Sequence, residues 1–292
     1  LVETAIEDTS YEIKEHHAVN WEKMLNLIHL TGMEKAVKKQ YQNATNISSR
    51  IRLHRLYSKN KKGWFPWIFD QLNLKDGMKV LEIGCGNGML WEENDYQIPR
   101  KIMINLSDVS EGMLRDARRN VGLEDKRFKF EIVDAENIPY EAETFDVVIA
   151  DHILFYCENL KKTCSEIARV LKKTGMFVCS TYGKNHMKEV SDLVRGFDNR
   201  IVLSADKLYE KFGKENGEKV LKPYFKSIDW KEYSDWLEIQ EGEPLIAYIL
   251  SCHGNQNQYI LNHYNEFRDY VKEKVKKNFF VTKEAGIFVC KK

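Results

Sequence analysis

Three glycines at alternate positions, Gly84, Gly86 and Gly88, follow the apolar run KVLEI, and Glu82 lies two residues before the first of them. Glycine lets a backbone approach a ligand with no Cβ in the way. Parallel sheets bind ligands outside the carboxyl ends of their strands, where helix N-termini also present free N–H groups. The segment therefore predicts a nucleotide-like cofactor beside a loop that joins a strand to a helix starting near Met89. The spacing is G-x-G-x-G, and Met89 stands where a dinucleotide motif needs its third glycine; no G-K-[ST] for a nucleoside triphosphate is present either. Asp108 lies 20 residues after Gly88, in NLSDVS, where a carboxylate can accept from both hydroxyls of a ribose. Asp134, in VDAENIP, could accept from an exocyclic adenine amine while the Ala135 N–H donates to a ring nitrogen. The alternative for Asp134 is a turn carboxylate.

Positioning these residues takes a sheet. KVLEIG, KIMINL, FKFEIV, FDVVIA and GMFVCS are five strand candidates rich in Val, Ile and Phe. Between them, GMLRDARRNV puts Met113, Leu114, Ala117 and Val121 on one helical stripe, and ENLKKTCSEIARVLKK puts Leu160, Cys164, Ile167, Ala168 and Leu171 on another. Lys172, Lys173 and Gly175 read as the close of that second helix. Strand alternating with helix implies right-handed crossovers and a parallel sheet covered on both faces. After Gly183 the pattern predicts a helical insertion to about Leu221, one or two strands in FKSIDWKEYSDWLEI, and two further helices. NFFVTKEAGIFVCKK reads as a hairpin that adds a last antiparallel strand. The first sixty residues are polar and helix-prone, with WEKMLNLIHL and MEKAVKKQYQNA as helices. Lys35 to Lys62 is rich in base, either a solvated helix face or an attraction for an acidic substrate.

The 292 residues carry 45 Lys+Arg against 44 Asp+Glu, a net charge of +1, which argues against a domain that coats phosphate backbone. Charge interrupts every apolar run well short of the roughly 20 residues of a membrane span. LVETAIEDTS lacks the basic and apolar regions of a secretory signal, so cytoplasm is the expected compartment; the first residue is not Met, which suggests a trimmed or partial chain. Six cysteines without a C-x-x-C pair read as reduced. Cys157 and Cys164 offer too few ligands for zinc, and the histidines form no ligand spacing, so no metal is assigned.

The chain resembles the class I S-adenosylmethionine-dependent methyltransferases. VLEIGCGNG resembles their first motif, SDVSEGML the ribose-binding motif, VDAENIPYEAETFDVVIADH the adenine-binding and fourth-strand motifs, and VLKKTGMFVCSTYG the fifth strand. The resemblance covers about Trp64 to Gly183, and QYQNATNISSRIRLHRLYSKNKKGW is similar to a helical lid of some small-molecule members. It implies an α/β, Rossmann-like three-layer sandwich with a mostly parallel seven-stranded sheet of order 3-2-1-4-5-7-6. The implied organisation is a lid over residues 1–62, a cofactor-binding core over 63–183, an acceptor-pocket cap over 184–222, and strands and helices completing the sheet over 223–292. Carried over, Glu82, Gly84, Gly86 and Gly88 hold the methionine portion of S-adenosylmethionine, Asp108 takes the ribose, and Asp134 with Ala135 takes the adenine. Cys85, Val109, Met113, Asp151 and Tyr57 complete the expected cofactor set.

Methyl transfer from a sulfonium is an in-line displacement, so the protein chiefly aligns the acceptor and excludes water. Where the acceptor carries a proton, a base helps, and His152 is the candidate, with Tyr156 beside it as a pocket wall or acid. N-P-P-Y and D-P-P-Y, which mark DNA-base amino methyltransferases, are absent; the chain has ADHI after the fourth strand, and no paired-cysteine RNA-methylating arrangement is present. A small metabolite or natural product methylated at oxygen or nitrogen is the preferred acceptor, and a monomer or homodimer is expected. The alternatives are a tRNA or protein methyltransferase and, in another class, a non-catalytic S-adenosylmethionine sensor. A nicotinamide oxidoreductase fits the fold but not the G-x-G-x-G spacing.

Overall fold

A computed structural model of the chain describes residues 44–204, 207–252 and 254–292. Both helices expected before Ala44 lie outside the described residues, apart from the last residue of the second. In chain order the elements are α1 (Ala44–Tyr57), α2 (Trp64–Leu72), β1 (Lys79–Ile83), α3 (Met89–Glu92), β2 (Met103–Asp108), α4 (Glu111–Val121), β3 (Phe128–Ile132), β4 (Phe145–Ala150), α5 (Leu160–Val170) and β5 (Leu171–Tyr182). They continue as α6 (Lys188–Phe197), α7 (Leu208–Lys211), α8 (Gly217–Leu221), β6 (Ser227–Glu232), β7 (Asp235–Ile239), α9 (Gly242–Leu250), α10 (Gln256–Ile260), α11 (Tyr264–Val275), β8 (Phe279–Lys283) and β9 (Ala285–Lys291).

The seven-stranded sheet runs β3-β2-β1-β4-β5-β9-β6. Pairs among β1 to β5 are parallel, whereas β9 pairs antiparallel with both β5 and β6. With the sheet's own strands counted in chain order, β9 is the seventh, and the expected order 3-2-1-4-5-7-6 is met. Alternation along each strand supplies two cores. Leu81, Ile83, Val148, Ala150 and Phe177 face one side, where α5 contributes Cys164, Ile167 and Val170. Val80, Ile104, Leu106, Val147 and Ile149 face the other, with Ile68 and Leu72 of α2 and Leu114 and Ala117 of α4. Ser110 caps α4 by accepting from the Met113 N–H (3.3 Å), and Asn159 caps α5 by accepting from the Lys162 N–H (3.1 Å).

The helix expected near Met89 is present as a single turn, ending at Glu92. Two local expectations need correction. The close of α5 is earlier than the lysines suggest: Leu171 already pairs with Phe145, and Lys172 and Lys173 belong to β5. A register shift after this pair brings Met176 opposite Val147, and the intervening residues loop out. Gly175 permits that loop, because a Cβ there would sit 2.8 Å from the Leu171 side chain. Lys172 instead donates to Asp146 (2.8 Å). Finally, β9 is the expected last antiparallel strand of the main sheet, but β8 does not pair with it as a hairpin; β8 pairs with β7 in a separate two-stranded sheet.

The chain divides into two compact units. One comprises residues 1–57, 190–205 and 238–280, and its described part is helical, with Leu53, Leu193, Leu245, Ile249 and Phe267 buried. Within it the Arg50 guanidinium donates to the Ser251 carbonyl (3.1 Å), and the Tyr270 hydroxyl donates to the Leu193 carbonyl (3.1 Å). The other unit, residues 58–189, 206–237 and 281–292, holds the seven-stranded sheet.

A buried ion pair ties the start of this second unit to the two-stranded β7-β8 sheet. Asp235 accepts from the Lys283 ammonium (2.6 Å), the Ser58 hydroxyl (2.6 Å) and the Lys59 and Asn60 backbone N–H groups (2.9 Å each). The two side chains are 0% and 6% exposed, and burial holds the Lys283 ammonium below its ordinary pKa. Losing one partner leaves an uncompensated buried charge. Asp235→Ala is expected to lower stability by about 3–5 kcal/mol in urea unfolding, with much of the loss recovered in the double variant Asp235→Leu, Lys283→Met. A single-variant loss below about 1 kcal/mol would contradict this account.

Candidate active site

The loop after β1 is shaped by its glycines. Gly84, Gly86 and Gly88 have φ of 69°, 55° and 78°, the left-handed region that favours glycine. Two of the three are also packed shut. A Cβ on Gly84 would lie 2.3 Å from Ile153, in the loop after β4, and one on Gly88 would lie 3.2 Å from the Ala117 Cβ of α4. Gly86 differs, because a Cβ there would meet nothing within 4 Å. Its bare backbone borders open space, where a ligand can approach. The Cys85 N–H donates to the Ser107 carbonyl (2.9 Å), and the Ser107 hydroxyl to the Glu82 carbonyl (2.8 Å), which fixes the loop to the end of β2. The Cys85 side chain is buried, and burial, then Glu82 and Asp108, push its thiol well above the ordinary range; the residue is no thiolate nucleophile.

Carboxylates end three adjacent strands. Asp108 closes β2; its Oδ2 accepts from the Gly86 N–H (3.0 Å) and its Oδ1 from the Ser110 N–H (2.8 Å). Val109 beside it is exposed, and Met113 is half-buried. Asp134 is an exposed turn carboxylate that accepts from the Glu136 N–H (2.8 Å) and the Asn137 amide (3.2 Å), with Ala135 buried next to it. Glu82 is 2% exposed, and its Oε2 accepts from the Trp91 indole N–H (2.6 Å). Burial raises its pKa to about 8, with Asp151 and Asp108 adding repulsion against the single Trp91 bond.

The fourth strand delivers Asp151 and His152. The ring Nδ1 of His152 lies 3.0 Å from Asp151 Oδ1 and 2.6 Å from Ser180 Oγ, at the end of β5. The Ser180 hydroxyl donates to Asp151 Oδ1 and accepts from the His152 backbone N–H (2.8 Å), while the Trp64 indole N–H points at Asp151 Oδ2 (3.4 Å). Burial opposes charge on Asp151, yet the bonds from His152, Ser180 and Trp64 outweigh it and hold the carboxyl below the usual range. His152 has φ 56°, unusual for a residue with a Cβ. Trp64 meets its ring edge-on at 5.2 Å, and Tyr182 lies nearly parallel to it at 6.4 Å. Tyr156 is exposed and packs its ring on Phe155 (4.7 Å). His186 stacks on Tyr182 at 5.2 Å and accepts from the Glu284 N–H (3.2 Å); burial, then Lys283 and His152, push its pKa down to about 3, which keeps it neutral.

The expected positions from Glu82 to His152 are thus gathered on the carboxyl ends of β1 to β4. Tyr57 closes α1 in the helical unit, where the His54 ring of the same helix meets Tyr248 edge-on at 6.1 Å. Burial, then Glu241, raise the Tyr57 hydroxyl to about 12. Among the described residues no group of three or more His, Cys, Asp or Glu side chains could hold a metal ion, and no helix is long and apolar enough to cross a membrane. Ser180, Trp64 and Trp91 are participants that the sequence reading missed. The trace of Ser180 in the sequence was a polar pair, Ser180 and Thr181, directly after the apolar run MFVC.

Comparison with known proteins gives this arrangement a family. A profile described as "Methyltransferase domain" matches residues 74–241, more than half of the chain. The chain belongs to the methyltransferase family, of the S-adenosylmethionine-dependent class I type. The chain is 30% identical over 118 residues to a demethylmenaquinone methyltransferase of Symbiobacterium thermophilum, covering 40% of this chain and 47% of that one. It is 28% identical over 130 residues to a malonyl-[acyl-carrier protein] O-methyltransferase of Methylovorus, covering 43% and 44%. The chain thus spans less than half the length of these curated relatives. The crystal structure of the YcgJ protein from Bacillus subtilis shares the fold, with a TM-score of 0.54 and 16% identity over 78% of this chain and 97% of that one.

The raised pKa of Glu82 in this methyltransferase fold has a measurable consequence. The ordinary value is 4.5 and the folded value about 8, so the folded state holds the proton more tightly than the unfolded chain. The resulting stability is fully present below pH 4.5 and is lost as pH rises through 8. Glu82→Gln, which mimics the protonated form, is expected to gain on the wild type in unfolding free energy from urea titration between pH 5 and pH 8.5, by an amount on the order of a few kcal/mol. A difference independent of pH would contradict the assignment.

Proposed function

We propose that this chain transfers the methyl group of S-adenosylmethionine to an oxygen or nitrogen atom of a small organic acceptor, with His152 as the general base. The residues present fit the cofactor. Gly86 leaves room that a Cβ would fill, and Asp108, anchored by the loop, keeps lone pairs for ribose hydroxyls. Glu82 is a buried carboxyl with one donor and no cation among the described residues, suited to the ammonium of the methionine portion. Asp134 and Ala135 offer an acceptor and a donor for adenine, and Val109 and Met113 supply apolar surface beside the ribose position. The cofactor brings a methyl group already activated by its sulfonium, so the protein needs only alignment, exclusion of water and an outlet for the acceptor's proton.

The observation that carries the base assignment is the environment of His152. Its Nδ1 is engaged by Asp151 and Ser180, while its Nε2 has no partner among the described residues. Ile153, the next residue, touches Gly84, so this ring adjoins the loop assigned to the methyl donor. Trp64, Phe155 and Tyr182 flank the ring with aromatic surface, and Tyr156 packs on Phe155, which suits an acceptor with an organic body. One curated relative is named an O-methyltransferase, which favours oxygen chemistry.

The test is S-adenosylhomocysteine formation by the purified protein with a panel of small alcohols, phenols, carboxylates and amines, alongside bulk tRNA. Turnover with a small heteroatom acceptor is expected, and His152→Ala should lower kcat by about 10²–10⁴-fold with S-adenosylmethionine affinity retained. Turnover confined to tRNA, or an unaltered kcat in the variant, would contradict the proposal. Cofactor binding without turnover on any acceptor would favour the sensor reading.

A further inference from the structure

We propose that Ser180 is a positioning residue for methyl transfer, its hydroxyl locking the proton of His152 onto Nδ1 so that Nε2 is the nitrogen left basic. The inference rests on His152 acting as the base. It follows from counting protons. The Ser180 oxygen has one proton to give and two lone pairs to receive with. It stands in hydrogen-bond range of three groups: Asp151 Oδ1, the His152 backbone N–H and His152 Nδ1. The backbone N–H can only donate, and the Asp151 carboxylate can only accept.

Two assignments remain for the ring. If Ser180 donated to a bare Nδ1, its oxygen would face Asp151 Oδ1 with no proton between them, and the bare Nδ1 would also face that carboxylate oxygen at 3.0 Å. Both contacts would be repulsive. If Ser180 instead donates to Asp151, the Nδ1–H falls between two acceptors, Ser180 Oγ at 2.6 Å and Asp151 Oδ1 at 3.0 Å, and all contacts are satisfied. The second assignment is therefore the low-energy one. Asp151 is ready for it, because the Trp64 N–H addresses its other oxygen.

Ser180 does more than share the ring proton. His152 occupies the left-handed region at φ 56°, a conformation unfavourable for a residue with a Cβ. The Ser180 bond to the His152 N–H restrains that backbone, and Ser180 is itself 1% exposed in the interior of β5. Ser180 thus restrains the backbone angle and, together with Asp151, holds the ring hydrogen of the base.

Ring tautomers are read directly from histidine 15N shifts in the 292-residue chain, without any acceptor. At a pH where His152 is neutral, wild type is expected to show protonated Nδ1 and bare Nε2. Ser180→Ala should shift the Nε2 signal toward the protonated form, and Ser180→Thr, which keeps the hydroxyl, should restore the wild-type pattern. A wild-type ring protonated on Nε2, or a Ser180→Ala spectrum identical to wild type, would overturn the proposal; the wild-type reading holds even if the alanine variant fails to fold. The base assignment fails separately, by an unchanged kcat in His152→Ala.

Discussion

Parallel pairing in the order β2-β1-β4-β5 forces four strands to end side by side on one edge of the sheet, and the site depends on that constraint. Each strand is apolar through its buried length and turns polar as it leaves the core: Glu82, Asp108, Asp151 and Ser180 all sit within the last residues of a strand or just beyond it. No single loop could bring these groups together. The two-sided burial of the sheet does so, because the same alternation that gives α2, α4 and α5 their apolar partners also fixes the register of the strand ends.

Hydrogen bonds then join neighbouring ends into one framework. The Gly86 N–H is tied to Asp108, the Cys85 N–H to Ser107, and Ser180 to both Asp151 and His152. Close packing closes the remaining gap, with Gly84 directly against Ile153. Three carboxyl groups, Glu82, Asp108 and Asp151, consequently stand near one another with no lysine or arginine partner among the described residues. Such a concentration of acid in a half-buried site is unfavourable alone and suits a ligand that carries positive charge.

Much of this was legible in the sequence because its signals are local. The glycine spacing, the 20-residue step to Asp108 and the alternation of strand with helix needed no tertiary information; they support the family resemblance, and it was the resemblance that implied the strand order. What was not legible depends on distant partners. Ser180 is one hydroxyl 28 residues from His152 in the chain, and nothing in its neighbourhood announces the contact. Trp91 reads as a core aromatic until its indole is seen donating to Glu82. The close of α5 was misjudged because Lys172 and Lys173 match a helix terminus in charge, whereas the pairing of Leu171 with Phe145 decides the matter. The last antiparallel strand was read rightly, but its pairing with β8 was not, for a similar reason: β8 satisfies its edge with β7, a partner about 40 residues earlier.

The central claim is that these strand ends form an S-adenosylmethionine site with Asp108 at its ribose. Calorimetric titration of wild type and Asp108→Ala with S-adenosylmethionine, S-adenosylhomocysteine and NADH tests it most directly. The account predicts that wild type binds the first two and not NADH, and that the variant, still folded, binds both at least ten-fold more weakly, or about 1.4 kcal/mol. Equal affinity in the variant, or selective binding of NADH, would contradict it.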